Sequence, residues 1–173
     1  PPPPRVRVRG RWLAFQEFMI VERAEGPVEA VELGVDAAEP TPEVLAALRD
    51  ADAIVIGPSN PIASIGPILT LPGMRAALAE AAAPVVALSP FVGGKVLKGP
   101  TRLFCDHAGI DPSAAGIADA YAGILDGLVA DEPVDGLPAL ETATLMDTPA
   151  SRRALARSTL DFAATLAARD APR

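Results

Sequence analysis

The chain has 173 residues, a formal net charge of −7, and only 4% aromatic side chains within a hydrophobic half. That acidity excludes a broadly basic nucleic-acid surface, no run approaches the roughly 18 apolar residues of a membrane helix, and the single Cys105 excludes an internal disulfide and fits a reducing cytoplasm. The length suits one domain with a sizeable core.

Four prolines lead in at 1–4, and polyproline joins neither a sheet nor a helix interior. With no initiator Met and no signal-peptide pattern, the native N-terminus is expected upstream. "RVRVRG" alternates as a half-exposed strand does. "WLAFQEFMIVER", aromatic and β-branched, reads as a strand pair or one long strand, and "PVEAVELG" alternates again. Residues 1–35 are thus expected to form a small β-region, and residues 36–173 an α/β half-domain. There "TPEVLAALRDA" reads as a helix with Thr41 as N-cap, Pro42 at the first helical position and Glu43 in the first turn. "DAIVIG" is a short apolar strand, expected to be buried on both faces of a parallel sheet. "GMRAALAEAAA" is a helix and "PVVALSP" a second buried strand, which completes a right-handed βαβ unit. "PTRLFCDHAGI" and "DPSAAGIADAYAGILDGLVAD" read as two helices, the second capped by Asp111 ahead of Pro112. "ALETATLM" is a last strand. "TPASRRALARSTLDFAATLAA" is a closing helix from about Thr148.

In open α/β sheets ligands bind outside the carboxyl ends of the strands. Two loops leave there, "GPSNPIASIG" and "SPFVGGKVLKGP". If their strands are neighbours, Ser59, Asn60, Ser64 and Ser89 supply hydroxyl and amide groups on one edge. Gly93 and Gly94 let backbone N–H groups approach an anion, and Lys95 adds positive charge. A phosphate-bearing ligand fits this set. The same Gly-Pro and Asn-Pro pairs are also ordinary turn signals, and no Walker or Gly-x-Gly-x-x-Gly pattern is present.

Other candidates carry less. Cys105 and His107 have no further Cys or His to complete a metal site. Neither Ser59 nor Ser89 sits in a Gly-x-Ser-x-Gly elbow. Asp50 and Asp52 flank the opposite end of a strand. Arg5, Arg7 and Arg9 display charge on one strand face. In a strand, Gln16 or Glu17 must point inward, where it needs partners.

"GPSNPIASIGPILTLPGMRAAL", "PVVALSPFVGGKVLKGP", "GIDPSAAGIADAYAGILDGLVAD" and "LAFQEFMIVER" resemble the 2-phospho-L-lactate transferases (the CofD/FbiA family) of deazaflavin coenzyme biosynthesis. The likeness runs from about Gly10 to Leu166. It implies a Rossmann-like parallel sheet with flanking helices, part of a larger domain. It also implies transfer of a phospholactyl or phosphoenolpyruvyl group from a guanosine-diphosphate-type donor to the hydroxyl of the precursor Fo, with release of GMP and with Mg²⁺ assisting. Gly57, Ser59, Asn60, Ser64 and Gly66 carry over as substrate-binding positions, followed by Ser89, Gly93, Gly94 and Lys95; no catalytic residue or metal ligand is assigned. The gluconeogenesis-factor (YvcK-like) group shares the fold, but Pro58-Ser59-Asn60-Pro61 departs from its loop. Family members are about twice as long. The chain resembles their C-terminal half, so it is expected to be inactive alone, with the metal-binding carboxylates lying in the N-terminal half. The chain is expected to be a fragment of a full transferase; the alternatives are one piece of a split enzyme, a non-catalytic nucleotide- or phosphate-binding module, and a gluconeogenesis-factor relative. An open sheet edge predicts association with that N-terminal half or with a second copy.

Overall fold

Arg–Val alternation sets the first layer. The computed structural model describes residues 3–35, 37–93, 95–96 and 99–170 and, at 169 and 170, the backbone only. Strands β1 (Arg5–Val8), β2 (Arg11–Ala14) and β3 (Ala30–Glu32) form an antiparallel sheet in the order β2-β1-β3. Val6 and Val8 are buried. Arg5 and Arg7 face outward, pair with Glu32 and Glu29, and flank the Trp12 ring. Such exposed pairs contribute little stability.

The aromatic stretch after β2 is not a strand pair. It turns into helix α1 (Phe15–Ile20). Helical spacing puts Phe15 and Phe18 on one side, where both rings meet Phe104, at centroid distances of 6.0 and 6.2 Å. Gln16 and Glu17 both face solvent, so the inward polar residue that a strand requires does not arise. Contact with an aromatic partner distant in sequence overrides local β-propensity here.

Helix α2 (Pro42–Asp50) begins as its sequence dictates, with Thr41 Oγ1 accepting from the Val44 N–H. The rest is built on β4 (Ile54–Ile56), β5 (Val85–Leu88), a hairpin of β6 (Phe91–Val92) and β7 (Lys95–Val96), β8 (Gly127–Ala130) and β9 (Ala139–Glu141). β4, β5, β8 and β9 form a parallel four-stranded sheet in that order. Between them run a π-helical turn (Pro61–Ile65) leading into α3 (Gly66–Leu69), then α4 (Met74–Ala79), α5 (Thr101–Ala108) and α6 (Ala114–Ala120). Helix α7 (Pro149–Asp170) closes the chain.

The period of two along β5 sorts its side chains between two cores. Val85 and Ala87 join Leu78, Cys105, Ile117 and Leu128 on one face. Val86 and Leu88 join Val129, Leu155, Ala163 and Leu166 of α7 on the other. The antiparallel sheet packs on Phe104 with Ile62 and Ala63 of the π turn. Among the described residues no helix is long and apolar enough to cross a membrane.

Three further readings need correction. The long helix expected from Asp111 divides: α6 ends at Ala120, the chain turns through Gly123 at φ +80, and "GLVA" is the central strand β8. An apolar run this short fits either element, and the Asp126-Gly127 break was the available signal. The N-cap is Ser113, whose Oγ accepts from the Gly116 N–H; Asp111 accepts from the Ser113 hydroxyl. β4 is also not buried on both faces. It is an edge strand, and Val55 is 44% exposed because α7 covers β5 and β8.

Two expectations follow for stability. A Cβ on Gly127 would lie 2.7 Å from Phe162 and 2.8 Å from Leu166, so Gly127→Val overpacks the β8–α7 contact. It is expected to lower the free energy of unfolding by ~1–3 kcal/mol in urea titration. Burial, with Asp106 and Asp111 adding, pushes the Cys105 thiol from its ordinary 9.0 up to about 11, and burial pushes Tyr121 upward too. Between pH 9 and 11 the unfolded thiol releases its proton first, so the unfolded state binds fewer protons and stability falls as pH rises. For Cys105 the loss is at most ~2.7 kcal/mol. Urea midpoints across that range should fall less steeply for Cys105→Ala than for wild type.

Candidate functional site

Because β4 and β5 are parallel neighbours, the loops after them open on the same edge. They meet in a cavity of about 740 Å³ lined by Ser59, Asn60, Ser64 and Ser89. The other sequence-derived positions fall elsewhere. Gly57 is exposed and does not line the cavity. Gly66 does not line it either; a Cβ there would lie 3.1 Å from the Pro61 carbonyl, so packing against the π turn explains the glycine. Gly93 and Lys95 sit in the hairpin away from the cavity, while its Val92 and Val96 form a wall. Gly94 lies outside the described residues.

Two of the four polar groups hold the loops together. Asn60 Oδ1 accepts from the Ile62 and Ala63 N–H groups, each at 2.9 Å, and so starts the π turn. Its Nδ2 remains as a donor. Ser89, 2% exposed, accepts from the Phe91 N–H at 3.2 Å. Ser59 and Ser64 are exposed hydroxyls on the rim.

Residues that the loop pattern did not single out complete the enclosure. Phe15 and Met19 come from α1, and Gly99, Pro100 and Thr101 from the start of α5. Among the described residues α5 begins without a side-chain cap and has no acidic residue in its first turn, and its first residue, Thr101, lines the cavity, so the positive end of its dipole borders it. Thr144, Leu145, Met146, Asp147 and Arg152 come from the segment after β9 and from α7. Arg152 Nε donates to the Met146 carbonyl at 3.0 Å, and Asp147 Oδ1 accepts from the Ser151 hydroxyl at 3.1 Å. Thr144 is 4% exposed, and its hydroxyl has no partner among the described residues. The strand-end rule could have found this segment, because β9 is parallel to its neighbours and ends on the same edge.

A four-stranded parallel sheet with flanking helices and a cleft at its carboxyl edge defines a Rossmann-like α/β fold. The family model described as 2-phospho-L-lactate transferase CofD matches residues 5–147, and the chain belongs to that family. A phosphoenolpyruvate transferase of Streptomyces coelicolor is 44% identical over 119 residues, 68% of this chain and 37% of the relative. One from Mycobacterium tuberculosis is 38% identical over 163 residues, 88% of this chain and 49% of the relative. The chain thus spans half or less of the length of these relatives. A crystal structure of a Bacillus halodurans protein described as a member of the UPF0052 family matches 91% of this chain and 58% of its own, with a TM-score of 0.56 and 19% identity. That likeness shows the fold alone.

The double role of Asn60 is testable. Asn60→Ala removes both bonds to the π turn and is expected to cost ~1–2 kcal/mol in denaturant titration. Asn60→Asp, which keeps the acceptor, is expected to stay within about 0.5 kcal/mol of wild type. Equal losses in the two variants would show that Oδ1 does not hold the turn.

Proposed function

We propose that this chain forms the phosphate-holding part of a CofD-type transferase of deazaflavin coenzyme biosynthesis. The proposed reaction moves a phosphoenolpyruvyl or phospholactyl group from a guanosine-diphosphate-type donor to Fo. The Fo hydroxyl oxygen forms a bond to the phosphorus that carries the three-carbon acid. The bond from that phosphorus to the bridging oxygen breaks, GMP leaves with that oxygen, and the hydroxyl proton is released.

One observation carries the reading: the loops after β4 and β5, with the uncapped start of α5, enclose a single cavity. Charge accumulates on phosphate oxygens during such a transfer, and fixed donors stabilise it most effectively when aimed beforehand. Ser59 and Ser64 hydroxyls, Asn60 Nδ2 and the first amides of α5 are the donors this chain offers, and Arg152 adds positive charge. Phe15, Met19, Leu145 and Met146 offer an apolar wall to a flat ring.

The fit to magnesium is poor. One carboxylate, Asp147, lines the cavity, and among the described residues no cluster of three His, Cys, Asp or Glu could hold a metal. The ion's ligands are proposed to come from the part of the relatives that this chain does not span. Association with that part, along the edge where Val55 is exposed, belongs to the same proposal, as does a cytoplasmic location. The scarcity of carboxylates also favours a second reading, a phosphate-binding module without catalysis.

Calorimetry with GDP and with Fo, and transfer assays with Mg²⁺ in the presence and absence of the N-terminal half of a relative, separate the two. The expected result is ligand binding by the chain, transfer only when the other half is supplied, and a roughly 10–100-fold loss on Ser59→Ala, as befits a hydrogen bond to a charged group worth ~1.5–3 kcal/mol. Binding without transfer in the complemented protein supports the binding module. No binding of either ligand overturns both readings.

A further inference from the structure

We infer that Asp131 is a positioning residue: its carboxylate pins the β6–β7 hairpin and thereby fixes one wall of the cavity. Asp131 is the first residue after β8, which like β5 is paired on both sides and buried along its whole length. Its Oδ2 accepts from the Gly93 N–H at 2.7 Å, a contact spanning 38 residues. Gly93 sits at the hairpin tip with φ +58, which glycine adopts without strain.

The hairpin cannot hold itself in place. Each strand is two residues long, and an isolated two-stranded ribbon is marginal in water. Its base is fixed by the buried Phe91 and by the bond from the Phe91 N–H to Ser89. At its tip, Asp131 anchors it to the end of β8, a strand paired on both sides. Val92, between these two anchors, and Val96, paired with Phe91 on the return strand, line the cavity, whereas Asp131 itself does not. The other carboxylate oxygen, Oδ1, is buried without a partner among the described residues. An unsatisfied buried oxygen is costly, and the charge-assisted bond from the Gly93 N–H to Oδ2 offsets part of that cost. The effect on ligands rests on the proposed function, because the wall matters only if the cavity holds substrate; the anchoring does not depend on it.

The test uses the full chain, complemented with the N-terminal half of a relative for the kinetic arm. Asp131→Ala is expected to raise amide exchange at Phe91–Val96 about tenfold while β5 and β8 keep their protection. It is also expected to raise KM for Fo, and Kd for GDP or Fo by calorimetry, about tenfold, with kcat within about twofold of wild type. Asp131→Asn keeps an acceptor oxygen and is expected to return both readouts to within about threefold. If the alanine variant loses sheet protection, Asp131→Asn decides, with hairpin exchange expected to rise about two- to threefold through its weaker neutral bond and β5 and β8 unchanged. Unchanged hairpin exchange overturns the anchoring. A loosened hairpin with unchanged KM and Kd overturns the positioning role, and so does a fall in kcat at constant KM. A wild type that neither binds nor transfers overturns the proposed function, and the exchange arm still decides the anchoring.

Discussion

The arrangement depends on β5 and β8 being buried on both faces. Parallel strands need crossover connections, and those connections lay helices over the sheet. The cores follow at once: Val85 and Ala87 are claimed by one layer, Val86 and Leu88 by α7. The site follows as well. When all four strands run the same way, every strand-to-helix loop leaves at one edge, and segments more than 50 residues apart in sequence, such as Ser89 and Thr144, face one space.

That constraint also explains which parts of the molecule were legible in the sequence. β5 could be read because its apolar run is flanked by Pro84 and Pro90, and α2 because Thr41-Pro42 marks its start. β8 could not be read from periodicity, since Gly127 to Ala130 continues the small apolar residues of α6 without a change of character. What makes it a strand is a non-local fact, the fit of the bare Gly127 backbone beneath Phe162 and Leu166. α1 was misread for a similar reason: its helix is fixed by Phe104, nearly ninety residues away. In the site, the hydroxyl and amide residues of the first loop were legible as chemistry. Lys95 was not resolvable as a wall or solvent residue, because the two-residue period of a hairpin gives no indication of which face meets the cavity. Thr144, Asp147 and Arg152 carry no motif of their own, and their place follows only from the direction of β9.

Several polar side chains at the carboxyl edge are engaged in structure. Loops at the carboxyl edge leave backbone N–H groups without ladder partners, and such groups must be satisfied somewhere. Here short side chains do it: Asn60 for Ile62 and Ala63, Ser89 for Phe91, Asp131 for Gly93, and Glu132 for Ala114 at the start of α6. All four are oxygen acceptors that take protons from amides. An anionic ligand seeks the same amides, so wherever one of these oxygens already sits, the ligand is excluded by competition and by repulsion between acceptors.

This distribution separates the candidate anion position from its surroundings. The start of α6 is occupied by Glu132 and Ser113, the π turn by Asn60, and the start of α7 by Thr148, whose Oγ1 accepts from the Ser151 N–H, with Asp147 close by. The start of α5 has neither a side-chain cap nor an acidic first turn. It borders the cavity through Gly99, Pro100 and Thr101. An unfilled helix N-terminus in a cleft rimmed by serine hydroxyls is where the backbone offers negative charge the least competition. In a protein of net charge −7 such a place is set by local dipoles, because the overall field repels the anion. The acidity of the whole is therefore compatible with the proposed anion position: short-range donors decide the second, and screening at physiological ionic strength confines the first to a distance of about 8 Å.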